Sequence, residues 1–400
     1  MIVLLIYLFY FLFYVAAIYI SFNCIYLLVF AVAGHLLKKR IKSVAQENKY
    51  ICVLIPAYKE DNVILESSER AVLHKYAGFF QVVVIADGLR EETIQKIRAF
   101  GAEVIPVNFV KSTKGKSLLY AMDNIKAQYD VALVLDIDNI MAEDYLNDLN
   151  EAFNSGAKVV QTHRTAKNID TPFAFLDACN EEINNHIYRK GHFALGLSPA
   201  LIGSGMAFSF AYLKELLRDI GDTVGEDKEM DFKIARDKIG IVYLEDTYVY
   251  DEKIENAAVF TQQRTRWIAA QFEFFKKYFM QGFVELFRNK NYEFFNKVLQ
   301  SMLVPRMLLL GLLFVLSLLS FLFLVGRLQF VFPILFCLLC FVLLISLPLK
   351  LYQDKRLLSA LWRIPYALWC MVLALFRIGQ TKSSFLPTPH TSNSQIQKPK

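Results

Sequence analysis

Three kinds of hydrophobic patterning follow one another along the chain. Residues 1–34 carry no charged side chain, which exceeds the ~20 apolar residues that a membrane-spanning helix needs. From Tyr50 to about Tyr250, short β-branched runs (ICVLI at 51–55, VVVIA at 82–86, VALVL at 131–135, KVVQT at 158–162) alternate with amphipathic stretches of helical length, such as 64–74 and 91–100. That alternation predicts a mostly parallel α/β sheet. Residues 272–297 then mix many aromatics, among them Phe274, Tyr278 and Phe287, with Lys276, Lys277, Arg288, Lys290 and Lys297. Such a composition suits helices lying in a membrane interface. The runs 302–325 and 328–349 are long enough to span, and the short Gly326-Arg327 link makes them an antiparallel pair. Residues 357–376 also have spanning length, but they contain Arg363 and Pro365 and are read as an interfacial helix.

The first 34 residues are read as an uncleaved anchor. Ala31-Val32-Ala33 has the look of a signal-peptide cleavage site, yet no basic segment precedes the apolar run, and the run is well beyond the roughly 7–15 residues of such a leader. Lys38, Lys39, Arg40 and Lys42 follow it, and Lys350, Lys355 and Arg356 follow the C-terminal pair of spans. By the positive-inside rule both points are cytoplasmic and the N-terminus faces outward. The chain of 400 residues is 55% hydrophobic with a mean hydropathy of +0.33, too apolar for an ordinary soluble enzyme of this length. Its net charge of +6 comes from basic residues clustered beside apolar segments; a membrane surface accounts for them better than nucleic acid, for which no module is present. The six cysteines are scattered and form neither a disulfide framework nor a zinc site.

Candidate chemistry is concentrated at the ends of the predicted strands. The stretch 130–139, DVALVLDIDN, closes an apolar run with Asp136 and Asp138, at the carboxyl end of a strand where open α/β sheets bind ligands. Two hard oxygen donors there suit Mg²⁺ or Mn²⁺ shared with substrate phosphates; a cap for the next helix is the structural alternative. The first strand runs into Ile55-Pro56-Ala57-Tyr58-Lys59-Glu60-Asp61, and the second ends in Ala86-Asp87-Gly88. Tyr58 can stack on a base and Asp87 can accept from a ring or ribose group. Lys114-Gly115-Lys116-Ser117 opens a helix, a natural seat for a pyrophosphate. Further on stand Gly203-Ser204-Gly205-Met206, Gly225-Glu226-Asp227 and Gln262-Gln263-Arg264-Thr265-Arg266-Trp267. In the last of these an indole can stack on a sugar and the guanidinium groups can pair with phosphates. No G-x-G-x-x-G follows the first strand, which disfavours a dinucleotide-binding dehydrogenase. His163, in QTHR, is read as structural.

In this order, from residue 55 to residue 267, IPAYKED, ADG, GK, D-x-D, GSGM, GED and Q-x-x-R-W resemble the membrane-bound branch of the family 2 inverting glycosyltransferases, which includes cellulose, hyaluronan and chitin synthases. The resemblance implies a GT-A fold, a UDP-sugar donor, a saccharide or lipid-linked acceptor and a divalent metal, Mg²⁺ or Mn²⁺. By matching position it implies that Tyr58, Glu60 and Asp87 hold the uracil and ribose, Lys116 the pyrophosphate, and Asp136 and Asp138 the sugar and metal, with Asp138 as metal ligand. Asp227 becomes the general base, and Gly205, Gln263, Arg264, Arg266 and Trp267 the acceptor and pyrophosphate side. Phe385-x-x-Thr388-x-His390 resembles the gating loop F-x-V-T-x-K of the cellulose synthase branch, with Pro387 in place of Val and His390 in place of Lys; the charge at that end would follow pH.

The expected organisation is therefore a transmembrane anchor (1–34), a cytoplasmic GT-A domain (35–270), interfacial helices (271–300), two transmembrane helices (301–350), and an interfacial helix with a gating-loop-like cytoplasmic tail (351–400). The expected protein is a multi-pass enzyme of the cell membrane that moves a sugar from a UDP-sugar onto a growing cell-surface polysaccharide. Transfer of one sugar to a lipid is the alternative within the class, and a non-catalytic nucleotide-sugar-binding regulator the alternative outside it. The carboxylates at 136, 138 and 227 speak against the regulator. Three spans are few for one chain to form an export channel, so a homo-oligomer or export partner is expected with the polymerase reading.

Overall fold

The computed structural model describes residues 2–36, 47–220, 225–323 and 326–377. Lys38, Lys39, Arg40 and Lys42, and the tail residues Phe385, Thr388 and His390, lie outside these. After the 35-residue helix α1 (Ile2–Leu36) the chain alternates strand and helix: β1 (Ile51–Tyr58), α2 (Asp61–Val72), β2 (Phe80–Asp87), α3 (Glu91–Ala99), β3 (Glu103–Val107), α4 (Lys114–Asn124), β4 (Val131–Val134), β5 (Ile140–Met141), α5 (Tyr145–Asn154) and β6 (Val159–Ala166). Helix α6 (Pro172–Asn184) continues through a π-helical turn (Asn185–Gly191) into α7 (His192–Ala194). Then come β7 (Met206–Ser209), α8 (Phe210–Ile220), α9 (Glu226–Arg236) and β8 (Ile241–Asp251).

The eight strands form one sheet in the order β3-β2-β1-β4-β7-β6-β8-β5. Strand β1 pairs parallel with β2 and β4, β2 with β3, and β6 with β8, while β7 runs antiparallel to both its neighbours and β5 antiparallel to β8. Both faces are covered. On one face Val53 and Ile55 of β1 pack with Ile64, Ile97 and Leu149 from α2, α3 and α5. On the other, Cys52 and Leu54 pack with Leu118, Leu213 and Ile234 from α4, α8 and α9. Burial on two faces is why these strands read as unbroken apolar runs rather than alternating ones. Each fully buried Ile, Leu or Val contributes roughly 1.5–3 kcal/mol relative to exposure.

The membrane-type helices depart from the expected boundaries. Helix α10 (Ala257–Asn289) is continuous over 33 residues, so residue 270 falls inside a helix. It is followed by α11 (Tyr292–Met302) and α12 (Arg306–Phe323). The expected span at 302–325 is thus shorter and begins at Arg306, because Pro305 lacks the amide hydrogen that would continue a helix. Together α11 and α12 make a pair bent by 53°. Helix α13 (Val331–Ile345) closes the second span four residues before 349, with Pro348 starting α14 (Leu349–Tyr352). By length and composition, Tyr7–Leu36 and Leu328–Ile345 can cross a membrane, and the bent pair makes a third if it counts as one span. Residues 357–376 divide between α15 (Arg356–Leu361) and α16 (Ile364–Arg377). Fourteen residues in α16 rise ~21 Å, short of the ~30 Å hydrocarbon core.

These helices are tied to the α/β domain. Helix α16 packs Cys370, Met371 and Ala374 against Phe260 and Ile268 of α10. Helix α1 lies on the π-helical turn so closely that a Cβ on Gly191 would overlap the carbonyl oxygen of Phe30. Beside that contact His192 stacks on Phe30 with ring centroids 3.6 Å apart and bonds to Tyr26 Oη at 3.0 Å.

Candidate active site

Strands β1 and β2 end in register, Tyr58 opposite Asp87. The chain then turns sharply: Lys59 adopts a left-handed φ of 55° and Gly88 one of 71°. The Lys59 N–H donates to the Asp87 carbonyl at 3.0 Å, and its ammonium sits 4.9 Å over the Tyr58 ring. Asp61 holds the opposite side by accepting from the Arg90 N–H at 2.9 Å. This leaves Asp87, 6% exposed, with an Oδ2 that is buried and has no partner among the described residues. A buried carboxylate oxygen without a donor is costly, and it is available to a hydroxyl arriving in the cleft.

The D-x-D stretch is held from beneath. The Asp136 N–H donates to Asn139 Oδ1 at 3.1 Å and to Ser204 Oγ at 3.2 Å, and Ser204 Oγ in turn bonds to Asn139 Oδ1. Asp138 is 3% exposed; its Oδ2 accepts from the Glu252 N–H at 2.7 Å and its Oδ1 from Asn139 Nδ2 at 3.2 Å. Above it, Lys114 Nζ donates to Asp136 Oδ1 and, at 2.6 Å, to the Gly203 carbonyl. Lys114 is the first residue of α4, whose N-cap Thr113 accepts from the Lys116 N–H at 3.3 Å.

The GSG turn brings the fourth piece. Gly203 and Gly205 have φ of 79° and 60°, and a Cβ at Gly205 would lie 2.5 Å from Thr162 Oγ1 and 2.9 Å from Val249 Cγ1. Only glycine fits. A Cβ at Gly203 would stand 3.9 Å from Asp227 Oδ2, and one at Gly115 3.9 Å from Glu226 Cβ, so the starts of α4 and α9 meet at this turn. Burial alone would lower the Lys114 ammonium, but Asp136, Glu226 and Asp227 around it raise it above the usual lysine range. Burial pushes Glu226 up to about 7, with Lys114 opposing and Asp227 adding. Burial likewise raises Asp227, against the pull of Lys228.

Helix α10 supplies the far wall. Arg264 pairs with Asp177 and lies between two rings, 4.6 Å from the Phe260 centroid and 4.2 Å from that of Trp267. Gln263 Oε1 is buried without a partner among the described residues. Burial lowers Arg266, with Glu226 drawing it back. A cleft of about 1320 Å³ joins these parts; Tyr58, Glu60 and Asp87 line one end, Asp136, Asp138 and Asp227 the middle, and Gln263, Arg264, Arg266 and Trp267 the wall.

Two expected residues are placed otherwise. Lys116 is not among the residues lining the cleft, whereas Lys114 is. Gly205 lies beneath it, shaping the turn that carries Gly203. Sequence reading missed a buried charged layer: Arg164 pairs with Glu181 at 2.9 Å, Lys253 with Asp251 at 2.7 Å, and Asn139 Nδ2 reaches Asp251 Oδ1 at 3.3 Å. His163 has the structural part expected of it, held between Glu182 Oε2 and the Glu245 carbonyl at 2.9 Å each. Among the described residues no group of three or more His, Cys, Asp and Glu side chains is arranged to hold a metal ion. A metal here would need oxygen donors from substrate as well, which is how Mg²⁺ sites are commonly completed.

The family model described as glycosyltransferase like family 2 matches residues 48–270, more than half of the chain. The protein belongs to this glycosyltransferase-like family. Among solved structures, the mannosyltransferase PcManGT from Pyrobaculum calidifontis, in complex with GDP-Man and Mn²⁺, superposes with a TM-score of 0.53 at 16% identity, covering 92% of this chain and 99% of that one. Glucosyl-3-phosphoglycerate synthase of M. tuberculosis gives a TM-score of 0.33 at 19% identity over 52% of this chain and 73% of its own. TarS of S. aureus gives 0.36 at 17% identity over 54% of this chain and 38% of its own. Among curated protein sequences none matches the chain. The family 2 domain thus has a GT-A-like fold, a mixed and mostly parallel sheet with apolar helices at the N-terminus and near the C-terminus.

Proposed function

We propose that this family 2 glycosyltransferase moves a sugar from a UDP-sugar, with inversion, onto an acceptor held at the membrane face of the cleft. The observation that carries the reading is the convergence on Lys114 of Asp136 from the D-x-D strand end and Glu226 and Asp227 from the GED helix. The face of Tyr58 stacks on the base, and the unpartnered Oδ2 of Asp87 accepts from a ribose hydroxyl. Lys114 and Arg266 bring positive charge to the diphosphate side. Trp267, beside Arg264, offers its indole to a sugar face.

Asp227 is the base in this reading. It removes the proton of the acceptor hydroxyl as that oxygen bonds to the anomeric carbon and the diphosphate departs from the opposite face. A carboxylate raised by burial is better matched to proton removal near neutral pH than an ordinary one. Mg²⁺ or Mn²⁺ fits the donor set: Asp136 and Asp138 offer hard carboxylate oxygens at one strand end. When bound, such an ion neutralises the charge that develops on the leaving diphosphate.

The cleft reaches Val304, Met307 and Met371 on the apolar helices α12 and α16 and the turn before α12, which favours a lipid-linked acceptor. A growing cell-surface polysaccharide is the second reading, favoured by the indole and guanidinium groups of Q-x-x-R-W on the cleft wall. The catalytic domain is assigned to the cytoplasmic face of the cell membrane on the basic residues after α1 and those at Lys350, Lys355 and Arg356. The proposed domain division follows the one set out from the sequence, except that α10 (Ala257–Asn289) crosses the boundary at 270 and links the domain to the apolar helices. Purified full-length protein is to be incubated with radiolabelled UDP-sugars, with GDP-mannose for comparison because the mannosyltransferase neighbour was solved with it. A UDP-sugar gives a labelled product, lipid-extractable and of single-sugar size for the lipid reading or a ladder of lengths for the polymer. Incorporation from GDP-mannose alone would overturn the UDP assignment.

A further inference from the structure

We infer that Arg306 seats the phosphate group of a membrane lipid at the end of the cleft that adjoins the apolar helices. Arg306 opens α12 at the bend and is 7% exposed. Its Nη2 donates to the Asn180 carbonyl at 3.1 Å and to Asn180 Oδ1 and Asn184 Oδ1 at 2.7 Å each. Its guanidinium lies 5.9 Å from the Tyr188 ring centroid. Nη1 is equally shielded and has no partner among the described residues. These contacts satisfy one side of the fork and none of its charge.

Three other guanidinium groups of the cleft have carboxylate partners. Arg264 has Asp177, Arg164 has Glu181, and Arg189 stands 3.5 Å from Glu181. Glu181 also acts on Arg306, but it is already committed to Arg164, Arg189 and Lys253, and Arg264 and Arg189 bring like charge. A buried cation left without a counter-ion is costly to the fold. Its retention on a substrate cleft therefore points to an anion that arrives with a ligand. The planar fork of arginine matches a phosphate. The donor diphosphate is accounted for in the proposed function by Lys114 and Arg266.

What surrounds Arg306 says what the phosphate is attached to. Val304 and Pro305 precede it, and Met307, which follows it, packs in one apolar cluster with Met371 of α16 and Phe260 of α10. An anion bound there has an apolar remainder and enters from the side of the membrane-type helices. This assignment rests on the proposed lipid-linked acceptor and names its recognition group.

The test uses the full-length protein in a nonionic detergent, titrated with farnesyl phosphate, farnesol and inorganic phosphate, and separately with UDP and Mn²⁺. Farnesyl phosphate is expected to bind saturably, and its Kd to rise at least about tenfold in Arg306→Gln, as loss of a charge-assisted fork predicts. UDP binding is expected to be the same in both proteins. Farnesol and inorganic phosphate are expected to bind at least about tenfold more weakly than farnesyl phosphate. Asn184→Asp provides an independent variant if Arg306→Gln does not fold: it gives Arg306 an internal counter-ion and is expected to weaken farnesyl phosphate in the same way. An unchanged Kd in the variant overturns the assignment. So does farnesol binding as tightly as its phosphate, and inorganic phosphate binding as tightly as farnesyl phosphate would leave a phosphate site with no lipid component. If UDP binds and farnesyl phosphate does not, this inference alone fails; if UDP does not bind, the parent reading fails and takes this one with it.

Discussion

The Glu252 N–H donates to Asp138 Oδ2 at 2.7 Å across 114 residues of sequence. The bond fixes the second carboxylate of D-x-D from the end of β8, so its rotamer is set before any ligand arrives. Asp138→Asn turns one oxygen into a donor and removes the negative charge. Turnover is expected to fall on the order of 10²-fold or more, as for loss of a metal-side ligand. Excess chelator should abolish wild-type turnover, and Mn²⁺ or Mg²⁺ should restore it. Full turnover in chelator would show that the carboxylates have another task.

Asp227 and Glu226 are adjacent, and the proposed mechanism gives the acceptor proton to Asp227 alone. Asp227→Asn is expected to slow turnover by about 10²- to 10⁴-fold, the usual contribution of a positioned base, with UDP affinity kept. Glu226→Gln is expected to cost less. The reverse ranking in a steady-state comparison would transfer the role to Glu226.

The pH profile carries a sign. Burial raises both carboxyls, Glu226 to about 7, and the base works deprotonated. Activity should therefore be present at higher pH and fall as pH drops through the raised value, on an acid limb above the ordinary carboxylate range of about 4. Lys114 opposes both shifts, so Lys114→Gln should move that limb to higher pH. A limb left in place would mean that Lys114 does not face the base. For folding the sign is opposite. Glu226 binds its proton more tightly in the folded state, so its contribution to stability is lost as pH rises from about 4 through about 7.

Gly205→Ala forces a Cβ into Thr162 and Val249 at a backbone angle that glycine favours. The change should cost ~1–3 kcal/mol and lower the melting temperature. A melting temperature equal to the wild type would mean that the GSG turn relaxes freely.

The strands β1, β2, β4 and β6 were legible because burial on both faces leaves continuous apolar runs. Strand β3 was not: Pro106 interrupts it, and it survives as the outermost strand of the sheet, where a missing amide costs little. The D-x-D, GED and Q-x-x-R-W residues were legible because each is tied to a strand end or helix start by a few neighbouring residues. The resemblance chose Lys116, and sequence alone does not show which of Lys114 and Lys116 faces the cleft. They are two residues apart on one helix, so their side chains point about 200° apart, and which faces the cleft depends on where Thr113 caps α4. Arg306 reads as a basic residue heading an apolar run; its lack of a counter-ion comes from Asn180 and Asn184, over 120 residues away. The change of composition after residue 270 falls within α10, where the helix changes what it packs against and not its backbone.

The contact of Gly191 with Phe30 makes α1 a rigid mounting. The backbones of α1 and the domain touch with no side chain between them, so the domain has no slack to swing on that helix. In the proposed membrane placement, a tilt of α1 would be passed to the cleft through this seam. A shortened protein beginning at residue 47 would not be a free catalytic head. It would expose Ile187, His192 and the bare backbone of Gly191, and its assay would report on a damaged surface as much as on the chemistry.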